Sequence, residues 1–157
     1  MAFGPHLLLA TLEGLVTSAV LALMALGLSL VFGVMRVVNV AHGEFFMLGA
    51  VLAWFVSTAL ASHPAIGFAV SLIVCPILVG LVALLAERLV LRRLDYNPEA
   101  TIVATIGLLY IIQQAALSFF GPVPQPVAPP FSFRIQFPWF GYSGYKASVI
   151  LASILVL

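Results

Sequence analysis

Charged residues are scarce in this sequence. Asp, Glu, Lys and Arg together make up 7% of its 157 residues, whereas hydrophobic residues make up 64%. Soluble domains carry about 25% charged residues. A water-soluble fold of this size has no room to bury so much apolar surface, which indicates that the lipid bilayer is the solvent. The formal net charge of +1 also argues against nucleic acid as a partner, because phosphate binding needs an excess of Lys and Arg.

Cysteine is nearly absent as well. The single cysteine, Cys75, lies inside an apolar run. One thiol cannot form an internal disulfide, and the sequence has no Cys and His spacing typical of a metal site. The sequence therefore predicts neither a disulfide framework nor a bound metal, and it implies no cofactor.

Several apolar runs have the length of a membrane-spanning helix, about 20 residues. The run 45–86 has no Asp, Glu, Lys or Arg and is long enough for two helices. His63-Pro64 predicts the break between them, because proline disfavours helix in the residue before it. Pro76 is expected to kink the second of them or to be accommodated by neighbouring helices. The predicted spans are Leu15–Val34, Val40–Ser62, Ala65–Ala86 and Ala100–Phe120.

A fifth apolar run begins after Lys146 and reaches Leu157. It is too short to cross a bilayer, so we expect the sequence to be a fragment of a longer chain. The predicted fold is all-α, a polytopic transmembrane helix bundle with about four complete spans and a truncated fifth. One transmembrane domain, 1–157, is expected to contain all of them.

Two connections predict the orientation in the membrane. The basic loop, Glu87–Glu99, carries Arg88, Arg92 and Arg93, and loops rich in Lys and Arg lie on the cytoplasmic side. Segment 121–145 is rich in proline and aromatic residues and is expected outside, either as interfacial anchors or as a docking surface for a partner. The N-terminus is then also outside, provided that the second run crosses fully.

Small residues predict close packing between helices. Membrane helices approach one another where small side chains form a stripe. In the first span such residues recur at helical spacing, and two glycines in the second span extend the set. The predicted packing positions are Ser18, Ala22, Ala25, Ser29, Gly33, Gly43 and Gly49.

A polar cluster, the segment Arg36–Glu44, separates the first two apolar runs. It has two interpretations. Asn39 could be the N-cap of a helix that begins at Val40, with Glu44 stabilised by the helix dipole. Alternatively, the helix pair is broken inside the bilayer at Gly33, Asn39 and Gly43, and Asn39, His42 and Glu44 face a translocation path.

The fourth span predicts a second polar surface. Thr101, Thr105 and Gln113 share one helix face at spacings of four and eight. Such a face should point into protein or a cavity, not into lipid. An enzyme with His42 and Glu44 as an acid–base pair would need a third positioned group. The sequence provides none, so no catalytic residue is predicted.

Two motifs give the sequence a family resemblance. Residues 25–33, ALGLSLVFG, lead into residues 39–50, NVAHGEFFMLGA. This pattern resembles the permease subunits of branched-chain amino-acid ABC transporters, in which A-L-G-L-x-L-x-x-G precedes N-x-A-H-G-x-x-x-x-x-G-A. Residues 104–108, ATIGL, and 120–122, FGP, are similar to a later span of the same family. The resemblance covers nearly the whole chain, which is about half as long as a typical member.

The resemblance implies a permease of an ATP-driven importer in the bacterial inner membrane. Its implied partners are a second, homologous permease, two cytoplasmic ATPase subunits and a periplasmic substrate-binding protein. The substrate stays open between branched-chain amino acids and urea or short-chain amides, which similar permeases import. A structural membrane subunit with no path of its own is the remaining alternative.

Overall fold

The structure is a computed structural model that describes residues 3–127, 129–136 and 141–157. It confirms an all-α membrane fold. Among the described residues there are five α-helices, and four are long and apolar enough to cross a bilayer. The helices are α1 (Phe3–Met35), α2 (His42–Ala59), α3 (Pro64–Leu89), α4 (Pro98–Phe120) and the shorter α5 (Gly144–Val156).

Helix α1 is longer than predicted. It begins at Phe3 rather than Leu15, because Glu13 does not interrupt a segment rich in the strong helix formers Leu and Ala. Its 33 residues extend about 50 Å at 1.5 Å per residue, more than the ~30 Å of hydrocarbon. Helix α1 ends at Met35, and Arg36 follows with a φ of 55°. A left-handed residue commonly terminates a helix, but that residue is usually glycine.

Helices α2 and α3 form an antiparallel pair with its turn at the predicted break. Helix α2 ends at Ala59, and Pro64 is the first residue of α3, a position where its missing N–H costs nothing. Pro76 lies inside α3 as predicted. A Cβ built on Gly49 would lie 3.7 Å from Val79 Cγ2, an ordinary van der Waals distance, so the close packing predicted at Gly49 stays a prediction.

The basic loop leads from α3 into α4 through a 3₁₀ turn over Leu91–Leu94. Asp95 and Tyr96 both have positive φ, which reverses the chain direction. Asn97 then caps α4, because its side-chain oxygen accepts a hydrogen bond from the Ala100 amide at 3.2 Å.

The described residues form two compact units. The larger one, within 28–128, contains α2, α3, α4 and the last turns of α1. The smaller one combines residues from 1–27 and 129–157. It holds a feature that the sequence did not predict, an antiparallel pair of strands, β1 (Arg134–Gln136) and β2 (Gly141–Ser143).

Polar contacts stabilise the smaller unit. The Lys146 ammonium lies 2.6 Å and 2.7 Å from the two Glu13 carboxylate oxygens. The buried Tyr142 hydroxyl donates to the Leu12 carbonyl at 3.4 Å. Burial, followed by the Glu13 charge, raises the pKa of Tyr142 above its ordinary value. The N-terminal part of α1 is thus joined to Tyr142 and to the start of α5.

The segment predicted at 121–145 is therefore partly structured. Its strands and its Phe131–Tyr145 ring contact, with centroids 6.0 Å apart, lie within the described ranges. Four of its aromatic and proline residues lie outside them: Phe137, Pro138, Trp139 and Phe140.

Candidate functional site

The polar segment between α1 and α2 forms a folded turn, not a helix cap at Asn39. Asn39 Oδ1 accepts a hydrogen bond from the Ala41 amide at 3.0 Å, and the Asn39 carbonyl accepts from the His42 amide at 3.2 Å. An asparagine side chain that bonds two residues ahead stabilises a turn. Helix α2 begins at His42, with Ala41 at its N-cap position and no side-chain cap. The predictions that Asn39 caps the helix and that it starts at Val40 were wrong.

The helix break also lies elsewhere than predicted. Gly33 is inside α1 and Gly43 is inside α2, so neither glycine interrupts a helix. The non-helical backbone runs from Arg36 to Ala41. Glu44 lies in the first turn of α2, as predicted, where the helix dipole favours a negative charge.

Helix α4 fixes this turn in place. The Thr105 hydroxyl accepts a hydrogen bond from the Val40 amide at 3.2 Å and donates one to the Ile102 carbonyl at 3.1 Å. Thr105 is fully buried, and so are Val37 and Ala41 to within a few per cent. The predicted polar face of α4 therefore contacts the polar segment through Thr105, by a bond between residues 65 positions apart in sequence.

Thr101 lies one turn before Thr105 on the same face. It is also fully buried, yet its hydroxyl oxygen has no hydrogen-bond partner among the described residues. Buried polar groups are hydrogen-bonded in the great majority of cases, so an exception calls for an explanation.

His42 and Glu44 are both half-buried. Within the described ranges, neither side chain forms a hydrogen bond or an ion pair. Those residues also contain no group of three His, Cys, Asp or Glu side chains that could hold a metal ion.

Gln113 is separated from the other predicted site residues. It lies eight residues beyond Thr105 on α4, which is about 12 Å along the helix, and its side chain is exposed. It contributes to a cavity of about 400 Å³ between α2, α4 and the segment that follows α4. We call this the Gln113 cavity.

The walls of the Gln113 cavity are mainly apolar. Trp54 and Phe120 form one side, with their rings at 87° and 6.0 Å between centroids. Gln125 contributes a second carboxamide, whose Nε2 donates to the Phe120 carbonyl at 3.4 Å. The remaining lining residues are Met47, Ala50, Val51, Ala116, Leu117, Gly121, Pro122, Val123, Pro124 and Val127.

The basic loop presents Arg88, Arg92 and Arg93 as exposed side chains. Beside them the Tyr96 hydroxyl donates to Glu87 at 2.5 Å. This hydrogen bond is the main reason that the pKa of Tyr96 is raised above its ordinary value.

The small-residue stripe of α1 stays a prediction. A Cβ built on Gly33 or Gly43 would have no heavy atom within 4 Å among the described residues. Ser18, Ala25 and Ser29 are exposed, and Ala22 is half-buried.

Comparison with known proteins identifies the family. The sequence pattern of the permease component of branched-chain amino acid transport systems matches residues 10–157. The chain belongs to this family. It is a multi-pass membrane protein, as the family membership and the four apolar helices together establish.

A curated relative supports the same assignment. The chain is 31% identical, over 121 residues, to the high-affinity branched-chain amino acid transport system permease protein BraD of Pseudomonas aeruginosa. The alignment covers 71% of this chain and 38% of that permease, so the chain spans well under half of its relative. No solved structure matches the chain.

Sequence reasoning missed several residues of these two sites. Val37 and Ala41 looked like ordinary apolar positions, although the fold buries them beside Thr105. Trp54 and Gln125 were not singled out either, because a cavity formed by three segments leaves no periodic signal. The nearest available signal was the pair of glutamine side chains flanking the end of α4.

Proposed function

We propose that this permease-family chain forms part of the translocation path of an ATP-driven importer for branched-chain or other hydrophobic amino acids. The observation that carries the proposal is the family match over residues 10–157. It includes the polar segment and the whole of α4. The family and its relative support the bacterial inner membrane as the location.

The proposed partners are a second, homologous permease, two cytoplasmic ATPase subunits and a periplasmic binding protein. The sequence contains no G-x-x-x-x-G-K-[ST] phosphate-binding loop. ATP hydrolysis is therefore assigned to the ATPase subunits, and this chain is not expected to be an enzyme. The positive-inside rule supports this arrangement, because it predicts that the exposed arginines of the basic loop lie on the side on which those subunits would bind.

The polar segment is proposed to line the path near the basic-loop side. Thr105 lies seven residues after Pro98, the first residue of α4, which places it about 10 Å into that helix. Non-helical backbone at membrane depth is tolerated where it is buried in protein or lines a cavity. The bond from Val40 to Thr105 supports this proposal, because it holds such backbone against α4 at that position along the helix.

Four further side chains are proposed to serve the path. Asn39 and His42 are half-buried at the turn, and Thr101 has the unpaired buried hydroxyl. An unsatisfied hydroxyl costs free energy unless a ligand, water or neighbouring chain completes it. Glu44, in the first turn of α2, adds a carboxylate beside them.

An uptake experiment tests the proposed function. The full-length protein is expressed with the partner subunits from its transporter in a strain that lacks other branched-chain amino-acid uptake. We expect ATP-dependent accumulation of radiolabelled leucine, isoleucine or valine. Accumulation of urea or acetamide instead would assign the chain to amide import, and accumulation of none would leave a structural role.

A second experiment tests the polar segment within the working transporter. Asn39→Ala and His42→Ala are compared with Val38→Ala, an exposed neighbour on the same segment. We expect both site variants to lower uptake and substrate-stimulated ATPase activity while Val38→Ala retains them. If all three variants are equally active, the polar segment has no role in the path and only connects α1 to α2.

A further inference from the structure

The Gln113 cavity has the features of a small-molecule site. Its volume of about 400 Å³ lies in the usual range of roughly 300–1,000 Å³ for such sites. Its walls are aromatic and aliphatic, with two carboxamides among them. Ligand sites typically combine apolar walls with a few polar groups that orient the ligand.

The cavity lies at the opposite end of α4 from the polar segment. Phe120 is the last residue of α4, fifteen residues and about 22 Å beyond Thr105. By the orientation that the basic loop predicts, this is the outer end of the helix. A substrate arriving from outside would meet this cavity before it reached Thr105.

The lining of the Gln113 cavity favours a ligand that has no net charge but can form hydrogen bonds. No Asp, Glu, Lys, Arg or His is among the lining residues that the structure describes, so a ligand with a net charge would find no compensating partner. A carboxamide has both donors and an acceptor. It can therefore hydrogen-bond either the carboxylate or the ammonium group of a zwitterion.

We propose that the Gln113 cavity is the outer binding site for the transported aliphatic amino acid. The inference rests on the proposed function. Gln113 and Gln125 hydrogen-bond the zwitterionic head, and Met47, Trp54, Leu117 and Phe120 enclose the branched aliphatic side chain. A lipid acyl chain is the competing occupant of the cavity. If lipid fills it, any effect of leucine at the cavity should be independent of Gln113.

Protection of an introduced thiol from chemical labelling reports directly whether a ligand occupies the Gln113 cavity. Cys75 is the only cysteine of this sequence, so Cys75→Ala, combined with replacement of any cysteine elsewhere in the full-length transporter, gives a clean background. Val123→Cys places a thiol in the cavity wall, and Ser132→Cys places one on an exposed part of the chain outside it. Leucine at ten times its Kd should slow labelling of the first thiol about tenfold and leave the second unchanged. Glycine, which lacks the aliphatic group, should protect far less.

Two adjacent glutamines provide matched variants. Gln113 lines the cavity, whereas Gln114 is exposed on α4 and does not. Gln113→Ala should raise the KM for leucine uptake roughly tenfold or more, because hydrogen bonds to charged groups are lost, and should weaken the leucine protection. Gln114→Ala should retain the wild-type KM.

The outcomes separate this inference from the proposed function. Leucine uptake with no protection at Val123→Cys, and with equal KM values for the two glutamine variants, overturns the cavity site alone. Absence of any uptake overturns the proposed function. In that case Gln113-dependent protection by leucine still supports the site, and its absence removes both.

Discussion

At the scale of single residues, two threonines on one helix face have opposite hydrogen-bonding states. Thr105 accepts from the Val40 amide, whereas Thr101, equally buried, has no partner within the described residues. The sequence predicted both as members of one polar face. The contrast shows that residue type and spacing do not specify which hydroxyl is used, since this depends on which backbone group comes within reach.

The same substitution at the two threonines should therefore have different effects. Thr105→Val leaves the Val40 amide without its acceptor and should lower the free energy of unfolding by about 1 kcal/mol. Thr101→Val removes a hydroxyl that is already unpaired and should cost nothing, or stabilise by up to about 1 kcal/mol. Reversible SDS denaturation of the full-length protein in mixed micelles measures both. A larger loss at Thr101 than at Thr105 would contradict the hydrogen-bond assignment.

At the scale of elements, the hydrophobic runs predicted which helices exist better than they predicted where each helix begins and ends. The break at His63-Pro64 and the end of α4 at Phe120 were correct, because proline and a change in composition act locally. The predicted start of α2 at Val40 was wrong, because the helix begins at His42. Asn39 satisfies a turn amide two residues ahead, and an N-cap and a turn asparagine have the same sequence signature.

The junction between β2 and α5 was not predicted, and it depends on one glycine. A Cβ built on Gly144 would lie 2.5 Å from a Phe133 ring carbon and 3.0 Å from the Phe133 carbonyl oxygen. The Gly144 amide also donates to that carbonyl at 2.9 Å. Phe133, the residue before β1, therefore lies closer to the start of α5 than a side chain at position 144 allows.

Replacing this glycine should disrupt the junction. Gly144→Ala should lower the free energy of unfolding by about 1–3 kcal/mol, the range for overpacking. Gly141→Ala is the matched control, since its built Cβ has no neighbour nearer than 3.7 Å. Thermal unfolding of both variants in detergent measures the difference. If they are equally stable, the strand and helix are not packed as closely as described.

At the scale of the whole molecule, most large apolar side chains are exposed. Only seven hydrophobic residues among those described are buried: Val37, Ala41, Phe45, Cys75, Leu91, Tyr142 and Ile150. A soluble domain could not expose the rest, but lipid and neighbouring transmembrane helices can cover them. This accounts for the apolar composition.

The Glu13–Lys146 ion pair bears on the topology. It joins the N-terminal part of α1 to the start of α5 within the smaller unit. The N-terminal end of α1 should then lie on the same membrane side as the strands that precede α5. Its contribution to stability should be small, because both side chains are more than 40% exposed and exposed pairs are worth about 0–1 kcal/mol.

Cysteine labelling from each side of the membrane checks this topology. In the Cys75→Ala background, Gly4→Cys and Ser132→Cys should react with an impermeant reagent from outside. Arg92→Cys should react only from the cytoplasm, because basic loops are retained inside. Labelling of Gly4→Cys and Arg92→Cys from the same side would mean that the crossings between them are even in number, contrary to the three spans expected.

The sequence by itself determined that the lipid bilayer is the solvent of this protein, how many long apolar helices it has, and which family it belongs to. These depend on composition, run length and short motifs, which are local properties of the chain. Only the tertiary structure decided that Thr105 holds the Val40 amide, that Thr101 has no partner among the described residues, and that Gln113 lies with Gln125 in a separate cavity. Each of these depends on residues that are distant in sequence or on a backbone path, and helical periodicity can place a side chain on a face without specifying what that face meets.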